Sequence, residues 1–451
     1  MRLPASILTL LTASLSLAAA EWEVVVSPRI TVDERQGITG AGRAVMSGRR
    51  VLNFFPDHPD DFGGTKGIAS AISEDGGKTW TKGPNNWPMP QMVVLWADRL
   101  NNGDLLAFGI HWLPDPAKRR DPNPQLPPAD AYQIGISKDD GRTWKLAPAT
   151  IECPPEIGYV ARPLAHIIEQ DDMLLMPAYT WSKRGNKSVL LQSRDRGRTW
   201  KLRSVITTAV AMIKAGARVS TPWLETTVSP TKDGGMLAVV RSGSTIKSVL
   251  ASVRSNDGGQ TWNQPQALPM AGKLPTLHLL PNNVLTLTTA LSRNHCRVYL
   301  SADGTGREWS DAFIISSLTG GNAAPAIAGE DRLLLVTPAN RRIDAWHLRI
   351  APEPNTAKKL LPPTDVKFNR GTLAWSSTPD AVAYRVTPIL IRPAAVFSTT
   401  QIQPYAPIQT EITKLDLRRQ LLPGSRYTFE ITAVNAQGQI SSPVRSKEFQ
   451  L

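Results

Sequence analysis

The octapeptide SEDGGKTW at Ser73–Trp80 decides the fold, because the chain keeps rewriting it. SKDDGRTW stands at Ser137–Trp144, SRDRGRTW at Ser193–Trp200, SNDGGQTW at Ser255–Trp262, and a worn copy, SADGTGREW, at Ser301–Trp309. Self-similarity at a spacing of roughly 45 to 65 residues marks a propeller, a solenoid or another array. Between the copies lie short β-type runs, DLLAFGIHW, MLLMPAYTW, MLAVVRSG and VLTLTTALS, broken by Gly, Pro, Asn and Asp. No long amphipathic helical pattern interrupts them. Four strands per repeat fit the spacing, which favours a β-propeller over a helical solenoid.

Each residue of the octapeptide has a structural task. Asp-Gly and Gly-Gly pairs suit the positive φ angles of a tight hairpin. The Asp carboxylate can accept backbone N–H groups inside the turn, helped by the Ser hydroxyl, and the Trp can fold its ring between neighbouring sheets. A calcium loop would need further acidic ligands and a closing Glu, which the octapeptide lacks. The boxes therefore read as scaffold, and the chemistry has to be sought elsewhere.

At 451 residues two domains are expected. The first twenty residues, MRLPASILTLLTASLSLAAA, place one Arg before an apolar run ending in small residues. This predicts a secretory signal over residues 1–20, cleaved near Ala20, and hence a secreted or periplasmic protein with no stable membrane span. The two cysteines, Cys153 and Cys296, form neither a disulfide framework nor a metal-site spacing, so no metal or cofactor is expected. The formal charge of +13 fits an anionic ligand or a basic surface, and basic-aromatic nucleic-acid motifs are absent.

The boxes resemble the Asp-box (BNR) repeats of the sialidase superfamily, S-x-D-x-G-x-T-W, over residues 21–350. The resemblance implies an all-β, six-bladed β-propeller in which each box joins the third and fourth strands of a blade. Five boxes and a box-less stretch from about Thr319 to Ile350 make six units, and EWEVVVSPRI would supply the outer strand of the last one. A linker is expected over 351–361. Residues 362–451 resemble a fibronectin type III β-sandwich, with Trp375 and Tyr427 as core markers and Tyr427 as its tyrosine corner, in the role of a spacer or accessory module.

Strand parity puts the box turns on one face and the strand two–three loops, with the starts of the first strands, on the other. Charged and aromatic residues gather on that second face, the mouth. Sialidases of this superfamily use three arginines on the sugar carboxylate, an acid/base Asp, and a Tyr nucleophile paired with a Glu. Guanidinium forks suit a carboxylate, and a neutral Tyr meets an anionic sugar with little repulsion. The best match is WLETTVSPTKDGGMLAVVR, in which Glu225 and Arg241 stand 16 positions apart (241 − 225). Glu225 is the expected base or its partner and Asp61 the expected acid, with Asp60 and Asp57 as rivals. Arg241 and Arg293 form the expected clamp, with Arg297 competing with Arg293 for the place of the third arginine and Arg35, followed by Arg43, as the positional candidate for the first. Arg162 and Trp223 are further mouth candidates, with Trp112 and Trp181 on the aromatic rim. The sequence departs from the family at the nucleophile, where Ala323 and Ala324 occupy the slot of the Tyr. The resemblance thus implies an exo-glycosidase acting on terminal acidic sugars of a glycan. The alternatives are a catalytically silent glycan-binding propeller and a protein-interaction propeller.

Overall fold

The computed structural model describes residues 22–451 apart from 35–42, 57–67, 86, 91, 112–131, 164–165, 183–184, 221–223, 244–247, 291–295, 318–322, 340–341, 356–359, 393–404 and 419. Among these the chain is nearly all β. Up to Pro352 the strands group into antiparallel units of four, the first five each formed from consecutive segments. The first unit comprises Arg43–Ser47, Arg50–Pro56, Ile68–Ser73 and Thr81–Lys82, and the second Met92–Arg99, Leu105–His111, Tyr132–Ser137 and Lys145–Glu152. The third is Tyr159–Pro163 (continued by Ile168–Gln170), Met173–Trp181, Lys187–Ser193 and Thr199–Thr208. The fourth is Thr226–Pro230, Met236–Val240, Val249–Ser255 and Gln266–Ala271, and the fifth Lys273–Leu279, Leu285–Ala290, Cys296–Ser301 and Phe313–Ser316. In the sixth, Ala324–Gly329, Arg332–Ala339 and Arg342–Pro352 receive Trp22–Val26 as their outer strand, in register from Trp22↔Pro352 to Val26↔Leu348. The amino-terminal strand thus closes the last sheet, as its β-type sequence suggested.

Apolar clusters join each sheet to the next. One core links Val45 and Phe54 of the first unit to Ala97 and Leu105 of the second. Others follow around the chain, until Val51 and Phe55 of the first unit pack on Leu334 and Val336 of the sixth. Inner strands therefore have neighbours on both faces, which is why Met236–Val240 and Leu285–Ala290 are buried along their whole length. Closure is reinforced by Asp344, fully buried, which accepts from Arg29 Nη1 at 2.8 Å and from Arg342 Nε at 2.8 Å.

All four octapeptides and the nine-residue fifth copy fall between the third and fourth strands of their units. In the first, Ser73 Oγ donates to Asp75 Oδ1 at 2.8 Å and accepts from Gly77 N–H at 2.8 Å. Asp75 also accepts from Thr79 N–H at 2.9 Å and Thr79 Oγ1 at 2.6 Å, while Trp80 Nε1 donates to the Gly77 carbonyl at 3.0 Å. Those donors, the Thr79 hydroxyl first, hold the Asp75 carboxyl well below the usual range. The same bonds recur at Asp139 and Asp257. The carboxylates are spent inside the turns, so the boxes are scaffold. Their tryptophans seat the turn between sheets: Trp200, fully buried, meets Trp96 and Phe108 edge-on at 6.3 Å. Removing such a side chain costs about 3–5 kcal/mol.

Beyond Pro352 the chain forms one separate sheet and a second set of strands that continues the sheet of the sixth unit through Val26. Thr364–Asn369, Thr372–Ser376 and Lys414–Asp416 make the former, and Ile408–Thr410, Ala383–Arg392, Arg426–Val434 and Val444–Arg445 the latter. Trp375 and Tyr427 are buried between them, and Tyr427 OH accepts from Leu422 N–H at 3.0 Å, five residues upstream. This unit is docked tightly on the fifth and sixth sheets. Val26 pairs in parallel with Ile408, Ala406 N–H donates to the Ile314 carbonyl at 2.9 Å, and buried Arg385 meets buried Glu23 at 2.6 Å. Tyr405, Tyr427 and Tyr384 share one core with Val298, Ile314 and Trp346. The Pro- and Lys-containing sequence that reads as a linker is therefore followed by a rigid junction. Cys153 and Cys296 are both free thiols, pushed by burial to about 11 and about 12.

Candidate functional site

The first strands of the sheets face one another and leave a narrow concave pocket that encloses about 20 Å³. Five sheets contribute to its wall: Arg43 from the first, Trp96 to Asp98 from the second, His166 from the third, Thr276 and His278 from the fifth, and Ala323 to Pro325 from the sixth. A site assembled from so many sheets lies on the axis of their arrangement. Local sequence explains the placement. Asp98 is the last residue but one of the strand MVVLWADR, between Ala97, whose side chain packs into the inter-sheet core, and Arg99. Alternation along a strand then sends the Asp98 side chain to the other face.

Asp98 and His166 are half-buried in the wall, and their withdrawal from water dominates the electrostatics. It pushes the Asp98 carboxyl up to about 7, although the Ile167 N–H bond to Oδ2 at 2.8 Å and the Arg43 charge both favour the carboxylate. The His166 and His278 rings stack with centroids 4.4 Å apart and planes inclined by 25°. Burial holds His166 down to about 4, with Arg43 adding to the effect, and His278 well below its ordinary value, with His166 adding. The Nδ1 atoms of both rings lack a protein partner. At neutral pH the pocket thus combines two uncharged imidazoles, a guanidinium, and a carboxyl poised to give or take a proton.

The hairpin carrying Glu225 and Arg241 pairs Thr226 with Val240, which sets the two residues directly opposite. Arg241 Nη1 meets Glu225 Oε2 at 2.7 Å, with side-chain exposures of 6% and 12%, and Arg241 Nε donates to the Gly243 carbonyl at 2.8 Å. Glu225 Oε2 also accepts from Leu274 N–H, at 3.0 Å. The pair is a buried, oriented unit whose guanidinium is already engaged within the protein. Ala323 and Ala324 are buried against the axial pocket. Asp61, Arg35, Arg293 and Trp223 lie outside the described residues, as do Asp57, Asp60 and Trp112. Arg162 lies in the strand Tyr159–Pro163, in register with Tyr179. Trp181 ends the strand Met173–Trp181, half-buried. Arg297 is buried in the fifth sheet and its charge acts on Tyr405 of the carboxy-terminal unit.

Sequence reading missed Asp98, His166 and His278. The signal was there for two of them: an ionisable residue inside an apolar first strand, WADRL and TLHLL, at the parity that faces the axis. Among the described residues no cluster of three or more His, Cys, Asp or Glu could hold a metal, and no helix is long and apolar enough to cross a membrane.

Residues 128–342 match the family model described as a BNR repeat-like domain. A protein of unknown function from Dyadobacter fermentans DSM 18053 is similar in structure, with a TM-score of 0.57 at 16% identity, over 73% of this chain and 99% of that one. The Hadza microbial sialidase Hz136 is similar with a TM-score of 0.51 at 16% identity, over 71% of this chain and 68% of that one. At these identities the likeness concerns the fold alone: this chain shares a β architecture with the sialidase, and residues 128–342 of it are BNR repeat-like. Comparison with curated protein sequences found no match.

Proposed function

We propose that this chain is an exported hydrolase that removes terminal acidic sugars, sialic acid or a close analogue, from glycans. In this reading the six four-stranded units are the blades of a six-bladed propeller, and residues 362–451 are a fibronectin type III-like domain whose tyrosine corner is Tyr427. The observation that carries the proposal is the axial pocket, in which Asp98 holds its proton to about pH 7 beside Arg43 and Ala324. A carboxylic acid that stays protonated near neutrality is suited to protonating the leaving glycosidic oxygen. Arg43 supplies positive charge for an anionic sugar. Ala323 and Ala324 offer no side-chain nucleophile, so water attacks, with Glu225 as the base, and Asp61 stands as the rival of Asp98 for the role of acid. Arg35, Arg162, Arg293 and Trp223 remain candidate binders of the acidic glycan at the mouth.

A second reading, a glycan-binding propeller without turnover, is favoured by the same two alanines and by the engagement of Arg241 with Glu225. Release of a fluorogenic aglycone from an α-sialoside by the wild type and by Asp98→Asn, with calorimetric titration of the free acidic sugar alongside, separates the readings. Turnover lost in Asp98→Asn supports the hydrolase. Sugar binding with no turnover in either protein supports the silent binder.

A further inference from the structure

On the face opposite the mouth, the second and third octapeptide turns enclose a groove of about 560 Å³ lined by Lys138, Lys145, Arg196 and Arg198, with Ile136, Thr143 and Asp195. Arg194 and Arg142 flank it and are exposed. The one acidic lining group is withdrawn from it, since Asp195 accepts from Ser193 Oγ at 2.8 Å and Thr199 N–H at 2.8 Å within its own turn. The two turns are also held at a fixed separation. Thr150–Glu152 pairs in parallel with Thr199–Lys201, and Thr150 N–H donates to the Arg198 carbonyl at 2.8 Å.

Nothing in the turn chemistry asks for these cations. The three variable positions of S-x-D-x-G-x-T-W are Glu, Gly and Lys in the first copy and Asn, Gly and Gln in the fourth, but Arg194, Arg196 and Arg198 in the third. Arg196 even occupies a left-handed position, φ 60°, where the first and fourth copies have Gly76 and Gly258 at φ 80° and 67°. Such a conformation disfavours a residue with a Cβ. Its contact with Asp104, at 3.4 Å and more than half exposed on the arginine side, is weak compensation.

We propose that this groove binds an anionic polysaccharide, through carboxylate or sulfate groups repeated along the polymer, and so tethers the protein to its polymer while the mouth stays open. Guanidinium groups suit both oxyanions. Among the described residues the lining contains no aromatic ring on which a nucleobase would stack, and none of the large exposed apolar side chains belongs to it, which sets it apart from single-strand nucleic-acid grooves and membrane-binding faces.

The test measures affinity for polygalacturonate across a salt series. It compares the wild type, the triple variant Arg194→Gln/Arg196→Gly/Arg198→Gln, and a charge-matched control, Lys367→Gln/Lys414→Gln/Lys447→Gln, altered at exposed lysines of the carboxy-terminal unit. The triple variant is expected to bind about tenfold more weakly and with a shallower salt dependence, while the control changes less than about twofold. Arg196→Gly alone should weaken binding without lowering the thermal midpoint, which guards against loss of fold. Equal weakening in the control would reduce the effect to net charge and overturn the proposal. Tighter binding of single-stranded DNA or of anionic vesicles than of polygalacturonate would overturn it as well.

Discussion

Replacing Asp98 by Asn should stabilise the protein at neutral pH while abolishing its proposed chemistry. The folded protein holds the Asp98 proton up to about 7 instead of the ordinary 3.8, chiefly because the site is withdrawn from water. Between those values the unfolded chain has released the proton and the folded one has not, so the unfolded state binds fewer protons and stability falls as pH rises. At 1.36 kcal/mol per factor of ten the full effect is about 4 kcal/mol, and the access of water through the pocket reduces it to about 2–4 kcal/mol. His166 acts in the opposite sense. Burial keeps it neutral down to about 4 against an ordinary 6.5, so its contribution is gained as pH rises through that window. Both proteins share the histidine contribution, and subtraction removes it. Asn keeps an oxygen for the Ile167 N–H. Denaturant unfolding at a series of pH values should therefore show the stability difference, Asp98→Asn minus wild type, growing by about 2–4 kcal/mol from about pH 4 to about pH 8. Parallel pH profiles for the two proteins would refute the half-buried, proton-holding Asp98.

Gly306 has φ 70°, and a Cβ there would lie 2.4 Å from Leu237 Cδ2, whereas at Gly197, φ 84°, its nearest neighbour is 3.4 Å away. Gly197→Ala should cost about 1 kcal/mol from backbone strain alone, and Gly306→Ala a further 1–3 kcal/mol from crowding, as read from denaturant midpoints. Asp257→Ala should lower the thermal midpoint at neutral pH and flatten its acid dependence. The Thr261 hydroxyl and N–H bonds depress the Asp257 carboxyl, so its stabilisation is present above the ordinary carboxylate range and lost as pH falls below it. Arg385→Met leaves Glu23 buried without its partner and should cost about 3–5 kcal/mol, visible as earlier proteolysis at the junction of the two units.

The scaffold was legible because its chemistry is local. Ser73, Asp75, Gly77, Thr79 and Trp80 bond to one another within eight residues, so a repeated octapeptide announces a repeated turn. The closing strand Trp22–Val26 was legible for a related reason, since an unpartnered β-run at the start leaves the last sheet one strand short without it. The pairing of Glu225 with Arg241 was legible through hairpin register. The axial pocket was not. Asp98, His166 and His278 come from three different sheets, and only the arrangement of those sheets makes them neighbours. The docking of the carboxy-terminal unit was hidden likewise, because the Glu23–Arg385 contact spans 362 positions.

The most direct test of the account is the pH dependence of kcat/KM for an α-sialoside. The account predicts an alkaline limb with a midpoint near 7, where Asp98 loses its proton, and its disappearance with turnover in Asp98→Asn. Turnover that Asp98→Asn leaves intact, or no turnover by the wild type at any pH, would contradict it.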